Sequence, residues 1–136
     1  MKIFICCSKA FYPQVEAVKR TLEAAGHTIT LPNSFDNPGR EDEVRAVSAK
    51  AHSSWKAEMI REQNRKIEAN DAILVLNLEK DGQPNYIGGA TFLEIFKAFE
   101  MNRKIFLLNP IPDNILRDEL LGMEPLVING DLALIG

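Results

Sequence analysis

The sequence predicts a single α/β domain with a mainly parallel, five-stranded sheet. Strand-like and helix-like segments alternate along all 136 residues, as they do when right-handed crossovers connect parallel strands. Two runs, residues 71–78 and 104–109, are apolar enough to be buried on both faces, as parallel strands are. The length suits one domain with its own core and is too short for two, so we expect residues 1–136 to form one domain.

The first three elements follow from apolar spacing and turn residues. Residues 2–8 form a short apolar strand that ends at Ser8. The next segment has an apolar face at helical spacing and carries Pro13 in its first turn, where a missing N–H is harmless. Gly26 is expected to end this helix as a left-handed cap. Residues 27–32 then alternate as a second, more exposed strand.

The middle of the chain contains a weak and a stronger helical segment. Residues 33–40 are rich in Asn, Pro, Gly and Asp and are typical of a loop. Residues 41–51 are charged and weakly periodic, and we interpret them as a mobile helical flap. Because residues 33–50 make a long connection with few large apolar side chains, we expect them to be mobile without ligand. Residues 54–69 have the spacing of a better helix.

The second half of the chain continues the alternation. A turn-rich loop, two glycines and a helix that reaches Met101 follow the third strand, residues 71–78. The fourth strand, residues 104–109, leads to a short helix that ends at Gly122, and residues 125–129 form the fifth strand. We expect the strand order 2-1-3-4-5 of a flavodoxin-like or Rossmann-like three-layer sandwich.

Composition and charge exclude several classes of function. With 16 basic and 19 acidic residues the net charge is −3, and without a basic stripe we expect no polymeric nucleic acid as partner. There is no run of 18 apolar residues and no signal-peptide pattern, so we expect no membrane association. No His, Cys and Asp cluster has metal-ligand spacing, and we expect neither a metal nor another cofactor.

The two cysteines indicate whether the protein resides in a reducing or an oxidising cellular compartment. Cys6 and Cys7 are neighbours on a predicted strand, and their side chains therefore point to opposite faces. An intrachain disulfide between them is not expected. We interpret them as free thiols of a protein in the reducing cytoplasm.

The most informative segment is the turn that contains Gly88 and Gly89. Two glycines between a strand and a helix let the backbone approach a ligand closely, and free N–H groups at the helix start suit a phosphate or an anionic sugar. Glu94 then places a carboxylate over the same pocket, an arrangement that suits chemistry at C1 of a ribose. Alternatively, Thr91 and Glu94 have the spacing of a capping box, which would only satisfy N–H groups of the helix.

Other candidate residues follow from the position of strand ends. Ligands of parallel sheets bind at the carboxyl ends of the strands, where the strand order reverses. Ser8 follows the first strand and would hold a phosphate or sugar hydroxyl, or merely form a turn; Asn109 follows the fourth strand. Trp55 and Tyr86 would stack on a base, although a lone aromatic residue on a helix is more often part of the core.

With these segments in place, the chain resembles the nucleoside 2-deoxyribosyltransferase superfamily, which includes small N-glycosidases of deoxynucleoside monophosphates. The similar segments are the loop Cys6-Cys7-Ser8, the run Glu62-Gln63-Asn64 ahead of Asn70-Asp71, and the glycine turn followed by a helical glutamate. The resemblance implies cleavage or transfer of the N-glycosidic bond of a (deoxy)nucleoside or its monophosphate, with Glu94 as the nucleophile. The expected substrate-binding residues are Ser8, Asn64, Gly88, Gly89, Thr91 and Asn109.

The resemblance also implies a homodimer or larger assembly, because a neighbouring subunit helps to close the site in that family. The apolar chain end, residues 130–135, independently suggests burial against something.

The chain departs from the family pattern in ways that keep alternatives open. Gly88 stands where an acidic residue or serine is usual, and Gln63 or Asn64 where an aspartate is usual. An amide cannot accept a proton at neutral pH, so the second carboxylate expected for acid–base help is missing. A non-catalytic nucleotide-sensing domain is therefore one alternative. A phosphoribohydrolase of the lonely-guy type, whose glycine-rich turn is similar to residues 88–94, is another.

Overall fold

The computed structural model describes residues 1–136, which form an α/β domain around one all-parallel, five-stranded sheet in the order 2-1-3-4-5. The predicted fold class and strand order are confirmed. The strands are β1 (Lys2–Cys6), β2 (Thr28–Thr30), β3 (Ala72–Val75), β4 (Lys104–Leu107) and β5 (Leu126–Val127). The helices are α1 (Tyr12–Ala24), α2 (Arg40–Val47), α3 (Ala49–Glu68), α4 (Gly89–Glu100) and α5 (Arg117–Gly122), with short 3-10 turns at Lys9–Phe11 and Leu132–Leu134.

The sheet buries side chains on both of its faces, because residues of a strand alternate between them. From β1, Phe4 points to the face covered by α3, α4 and α5, and Ile5 points to the face covered by α1 and the chain end. The first face also contains Ile67, Ile73, Val75, Ile95, Leu107 and Leu120, and the second contains Val15, Leu22, Leu74, Phe106, Ile128 and Ile135. Helices on both faces make the domain a three-layer sandwich.

The apolar chain end is buried in part against its own domain. Ile135 is 4% exposed and belongs to the same cluster as Ile5 and Val15, and the half-buried Leu132 packs against that cluster. Leu134, by contrast, is 56% exposed. The expected burial of residues 130–135 is therefore met within one chain for only part of the segment.

The predicted flap is divided between two helices. α2 ends at Val47 and α3 begins at Ala49, five residues earlier than the sequence predicts. The break lies at Ser48, whose hydroxyl accepts a hydrogen bond from the Ala51 N–H at 3.0 Å and so caps α3. Val44 is the one buried residue of α2, which lies against α3 at the open edge of the sandwich.

The carboxyl ends of the central strands are aligned by the register of the sheet. Cys6 pairs with Val75, and Val75 pairs with Leu107. Beyond them, Asn77 is fully buried and binds Asn109 through both backbone and side chain: Asn77 Oδ1 accepts from the Asn109 N–H at 2.9 Å, and Asn109 Nδ2 donates to the Asn77 carbonyl at 3.1 Å. This amide pair joins the segments that follow β3 and β4.

Candidate functional site

A cavity of about 310 Å³ lies at the carboxyl ends of β1 and β3, between the glycine turn and α3. The loop after β1, the segment after β2, α2, α3 and the start of α4 all contribute to its walls. This is the edge of the sheet at which parallel α/β folds bind ligands. The volume is at the lower end of the range for small-molecule sites.

Five of the seven residues predicted for the site line this cavity. They are Ser8, Gly88, Gly89, Thr91 and Glu94. The other two, Asn64 and Asn109, are not among the lining residues: Gln63, the neighbour of Asn64, lines the cavity instead, and Asn109 is engaged by Asn77. The two aromatic candidates, Trp55 and Tyr86, also line the cavity.

The start of α4 is not a capping box. Gly88 is the N-cap residue, no side chain caps the helix, and Thr91 is already its third residue. A capping box requires the threonine itself at the N-cap position and the glutamate three residues later. That interpretation of Thr91 and Glu94 is therefore wrong, and Glu94 lies in the second turn of the helix rather than the first.

The two glycines of the turn have different roles. A Cβ atom on Gly88 would lie 3.2 Å from the Tyr86 hydroxyl, so a side chain here would press on the ring of Tyr86. A Cβ atom on Gly89 would meet nothing within 4 Å. The missing side chain of Gly89 leaves the helix start open to the cavity, where free N–H groups attract anionic or polar groups.

Glu94 is a buried carboxyl group at the inner end of the cavity. It is 6% exposed and forms no ion pair within 4 Å of Lys, Arg or His. Burial raises its pKa from 4.5 to about 8, while the Cys6 thiol and the charge of Lys66 lower it by smaller amounts. Glu94 is therefore mostly protonated at neutral pH and ionises in mildly basic solution.

The thiols beside Glu94 are held in their protonated form. Burial, with the nearby charge of Glu94, raises the pKa of Cys7 to about 12, and the same two causes raise that of Cys6 well above its ordinary range. Both cysteines are free, and they point to opposite faces of the sheet as expected. Since the thiolate is the nucleophilic form, neither cysteine competes with Glu94 for that role.

A second carboxylate, Glu41 of α2, lies at the mouth of the cavity in the opposite environment. Its Oε2 atom is 2.9 Å from His52 Nε2, 3.0 Å from Lys56 Nζ and 3.3 Å from Arg45 Nη2, and its Oε1 atom is 4.0 Å from Lys9 Nζ. Partial burial alone would raise its pKa, but hydrogen bonds from His52 and Lys56 and the charges of both lysines lower it to about 2.

Tyr12 lies near both carboxylates. Its pKa is raised by burial and then by the charges of Cys7, Glu94 and Glu41. The phenol hydroxyl donates a hydrogen bond of 2.6 Å to the Asn33 carbonyl, and the Asn33 side chain donates one of 2.8 Å to the Met59 carbonyl. The Oδ1 atom of Asn33 is buried without a partner. These contacts join α1, the segment after β2 and α3 around one side of the cavity.

Gln63 connects α3 to the glycine turn. The side chain is 3% exposed, and its Nε2 atom is 3.5 Å from the Ala90 carbonyl, at the limit of a hydrogen bond. A buried amide with so long a contact retains donors and an acceptor for another partner.

Sequence reasoning missed several lining residues. Asn33 lies a few residues after the end of β2, so the strand-end rule could have found it. Tyr12 lies in the first turn of α1 and gives no such signal. Glu41 and Lys56 come from helices whose position over the cavity no local pattern predicts.

No protein-family model matches this chain, and no curated protein matches its sequence significantly. The resemblance to the deoxyribosyltransferase superfamily therefore depends on the segments described above. Nowhere do three or more His, Cys, Asp or Glu side chains come together so that they could hold a metal ion. None of the helices is both long enough and apolar enough to cross a membrane.

Proposed function

We propose that the protein cleaves or transfers the N-glycosidic bond of a (deoxy)nucleoside or its monophosphate, with Glu94 as the nucleophile. The observation that carries this proposal is the position of Glu94. Its carboxyl group is buried at the end of the cavity, takes no part in capping α4 and forms no ion pair. A buried carboxyl group without a charged partner is unfavourable for folding, and such groups are concentrated at functional sites.

In the proposed reaction an ionised Oε atom of Glu94 forms a bond to C1 of the sugar. The bond from C1 to the base nitrogen breaks, and the base leaves with its electron pair and takes a proton from the solvent. Water or an acceptor base then attacks C1 and loses a proton to the solvent, while the bond from C1 to the Glu94 oxygen breaks and returns Glu94 as a carboxylate. A covalent intermediate divides one difficult step into two easier ones.

The other cavity residues fit the parts of such a substrate. Gly89 and the free N–H groups of α4 admit a polar sugar close to the backbone, and Ser8 also lines the cavity. Trp55 and Tyr86 offer aromatic surfaces to a base.

The direct test is intact-protein mass spectrometry after incubation with 2-fluoro-deoxynucleosides, with and without a 5′-phosphate. The fluorine slows release of the intermediate, so we expect an adduct of one fluoro-sugar, located on Glu94 by peptide mapping. Glu94→Gln should form no adduct. An adduct on another residue would refute the role of Glu94.

The second candidate is a non-catalytic nucleotide-sensing domain. The raised pKa of Glu94, about 8, favours it, because the nucleophilic form is a minority at neutral pH. A panel of nucleosides and nucleotides separates the two candidates: binding by calorimetry without release of free base supports the sensor.

We also propose that the protein is a homodimer or larger. Three large apolar side chains are about half exposed on the outer side of α4, the helix that carries Glu94: Leu93, Phe96 and Phe99 are 44%, 50% and 47% exposed. Static light scattering at micromolar concentration is the test, and a monomer would contradict the proposal. Phe96→Asp should weaken the assembly if it forms through this surface.

A further inference from the structure

The mouth of the cavity contains a cluster of basic side chains that converge on one carboxylate. Lys9 comes from the loop after β1, Arg45 from α2, and His52 and Lys56 from α3. All four are within 4.0 Å of an oxygen of Glu41, whose side chain is 18% exposed. Lys9 and Lys56 also line the cavity itself.

We infer that Glu41 occupies an anion site of the protein's own ligand, and that a phosphomonoester group of the ligand displaces it from Lys9, His52 and Lys56. The inference deepens the proposed function and rests on it in one respect, namely that the cavity holds a nucleoside derivative. It assigns the 5′-monophosphate, rather than the free nucleoside, as the substrate class. Glu94 and the phosphate site then lie at different ends of one ligand.

The charges of the cluster match a dianion better than a carboxylate. Lys9, Arg45 and Lys56 contribute three positive charges, and the remaining acidic neighbour is Asp42, 3.7 Å from Lys9 and 3.0 Å from Arg45. Arg45 and Asp42 lie on α2 and move with Glu41 when that helix shifts, so Lys9 and Lys56 then retain an excess of two positive charges, even without a charge on His52. A phosphomonoester is nearly a dianion at neutral pH and accepts several charge-assisted hydrogen bonds at once.

The position of Glu41 also makes displacement mechanically simple. α2 has eight residues and one buried side chain, Val44, so little apolar contact opposes a shift of this helix. Lys56, by contrast, lies on the 20-residue helix α3, which contributes Ile67 to the core. The basic partner on α3 is therefore held by the domain, while the internal anion is carried by the weakly packed element.

The test uses the complete chain and calorimetric titration with inorganic phosphate, 2-deoxyribose 5-phosphate and 2-deoxyribose. Glu41→Gln keeps the size of the side chain and removes its charge, so the variant should bind both phosphates about tenfold more tightly than the wild type does, a change of about 1.4 kcal/mol. Lys56→Met should weaken both by about tenfold or more. Binding of 2-deoxyribose should change in neither variant.

Glu43→Gln is the matched control. Glu43 lies in the same first turn of α2, but pairs only with Arg40, at 3.4 Å, and does not line the cavity. The Glu43→Gln variant should bind phosphate as tightly as the wild type does. Unchanged or weaker phosphate binding by folded Glu41→Gln would overturn the inference, because a carboxylate that competes with the ligand must oppose its binding.

A second measurement on the wild type keeps the inference testable if Glu41→Gln fails to fold. Saturation with 2-deoxyribose 5-phosphate should increase amide hydrogen exchange within residues 40–47, because Glu41 loses its partners. Phosphate binding with unchanged or slower exchange there would contradict displacement. If phosphate binds and exchange within residues 40–47 increases, but no base is released from any nucleotide, the proposed reaction alone is refuted. If base is released from free nucleosides and no phosphate binds, the displacement of Glu41 alone is refuted.

Discussion

The inner end and the mouth of the same cavity hold one glutamate each, in opposite states. Glu94, on a helix that packs on the sheet, is buried without an ion pair, and its pKa is raised to about 8. Glu41, on a short helix with one buried residue, is surrounded by basic groups, and its pKa is lowered to about 2. The difference shows that burial and charged neighbours, rather than residue type, set the protonation of a carboxyl group.

The second glutamate of the cavity does not replace the acid–base carboxylate that the sequence lacks. The cavity does contain a second glutamate, but a pKa of about 2 leaves Glu41 ionised and unable to donate a proton at neutral pH. The roles that we propose for the two groups therefore differ: chemistry at Glu94 and anion competition at Glu41.

The largest effect is expected from Glu94→Gln, which keeps the size and removes the nucleophile. Turnover should be abolished, while ligand binding is retained, because an amide cannot form the glycosyl intermediate. Free-base release from nucleoside monophosphates measures this. Glu100→Gln is the control, since Glu100 lies on the same helix but is exposed and pairs with Lys97. Wild-type turnover by Glu94→Gln would place the chemistry elsewhere.

A large effect of pH on rate is expected from the inner carboxyl group alone. In the proposed reaction the ionised form of Glu94 is the nucleophile, so kcat/KM should rise with pH and level off above its pKa of about 8. Glu41, with a pKa of about 2, should contribute nothing in this range. A rate that instead falls through the same region would indicate that Glu94 acts as an acid, contrary to the proposal.

A smaller effect is expected on stability. The folded pKa of Glu94, about 8, exceeds its ordinary 4.5, so between these values the folded protein holds a proton that the unfolded chain has released. Glu94 therefore destabilises the folded protein least below pH 4.5, and the free energy of unfolding falls as the pH rises from 4.5 towards 8.

Glu94→Gln should lack this decline and become more stable than the wild type at high pH. Urea unfolding of both proteins at about pH 5 and about pH 9 measures the difference. Glu100→Gln should follow the wild type. An equal pH dependence in the wild type and Glu94→Gln would show that Glu94 is not buried in its neutral form.

The smallest effect is expected in amide hydrogen exchange, which should differ between residues 33–50 and α4. Residues 33–50 contain few buried side chains, whereas α4 buries Thr91, Glu94, Ile95 and Ala98. Without ligand, amide hydrogens of residues 33–50 should exchange faster than those of α4, as hydrogen-exchange mass spectrometry can measure. Slow exchange throughout residues 33–50 would contradict the predicted mobility.

The sequence by itself determined the sheet and much of the inner site. Alternating segments and two largely apolar strands predict the parallel order 2-1-3-4-5, because crossover handedness and strand burial leave few other arrangements. Gly88, Gly89 and Glu94 were found since they lie within a few residues of one another at a strand end. Such features depend on neighbours in the chain.

Only the tertiary structure decided the rest. Whether Glu94 caps its helix depends on where α4 begins, and the start at Gly89 excludes a capping box that the spacing allowed. Asn109 is engaged by Asn77, 32 residues earlier, and Glu41 meets Lys9 from the segment after β1 and His52 and Lys56 from α3. Charge and hydrogen bonding act through space over a few ångströms, so a pKa of about 2 or about 8 arises from packing that no local pattern records.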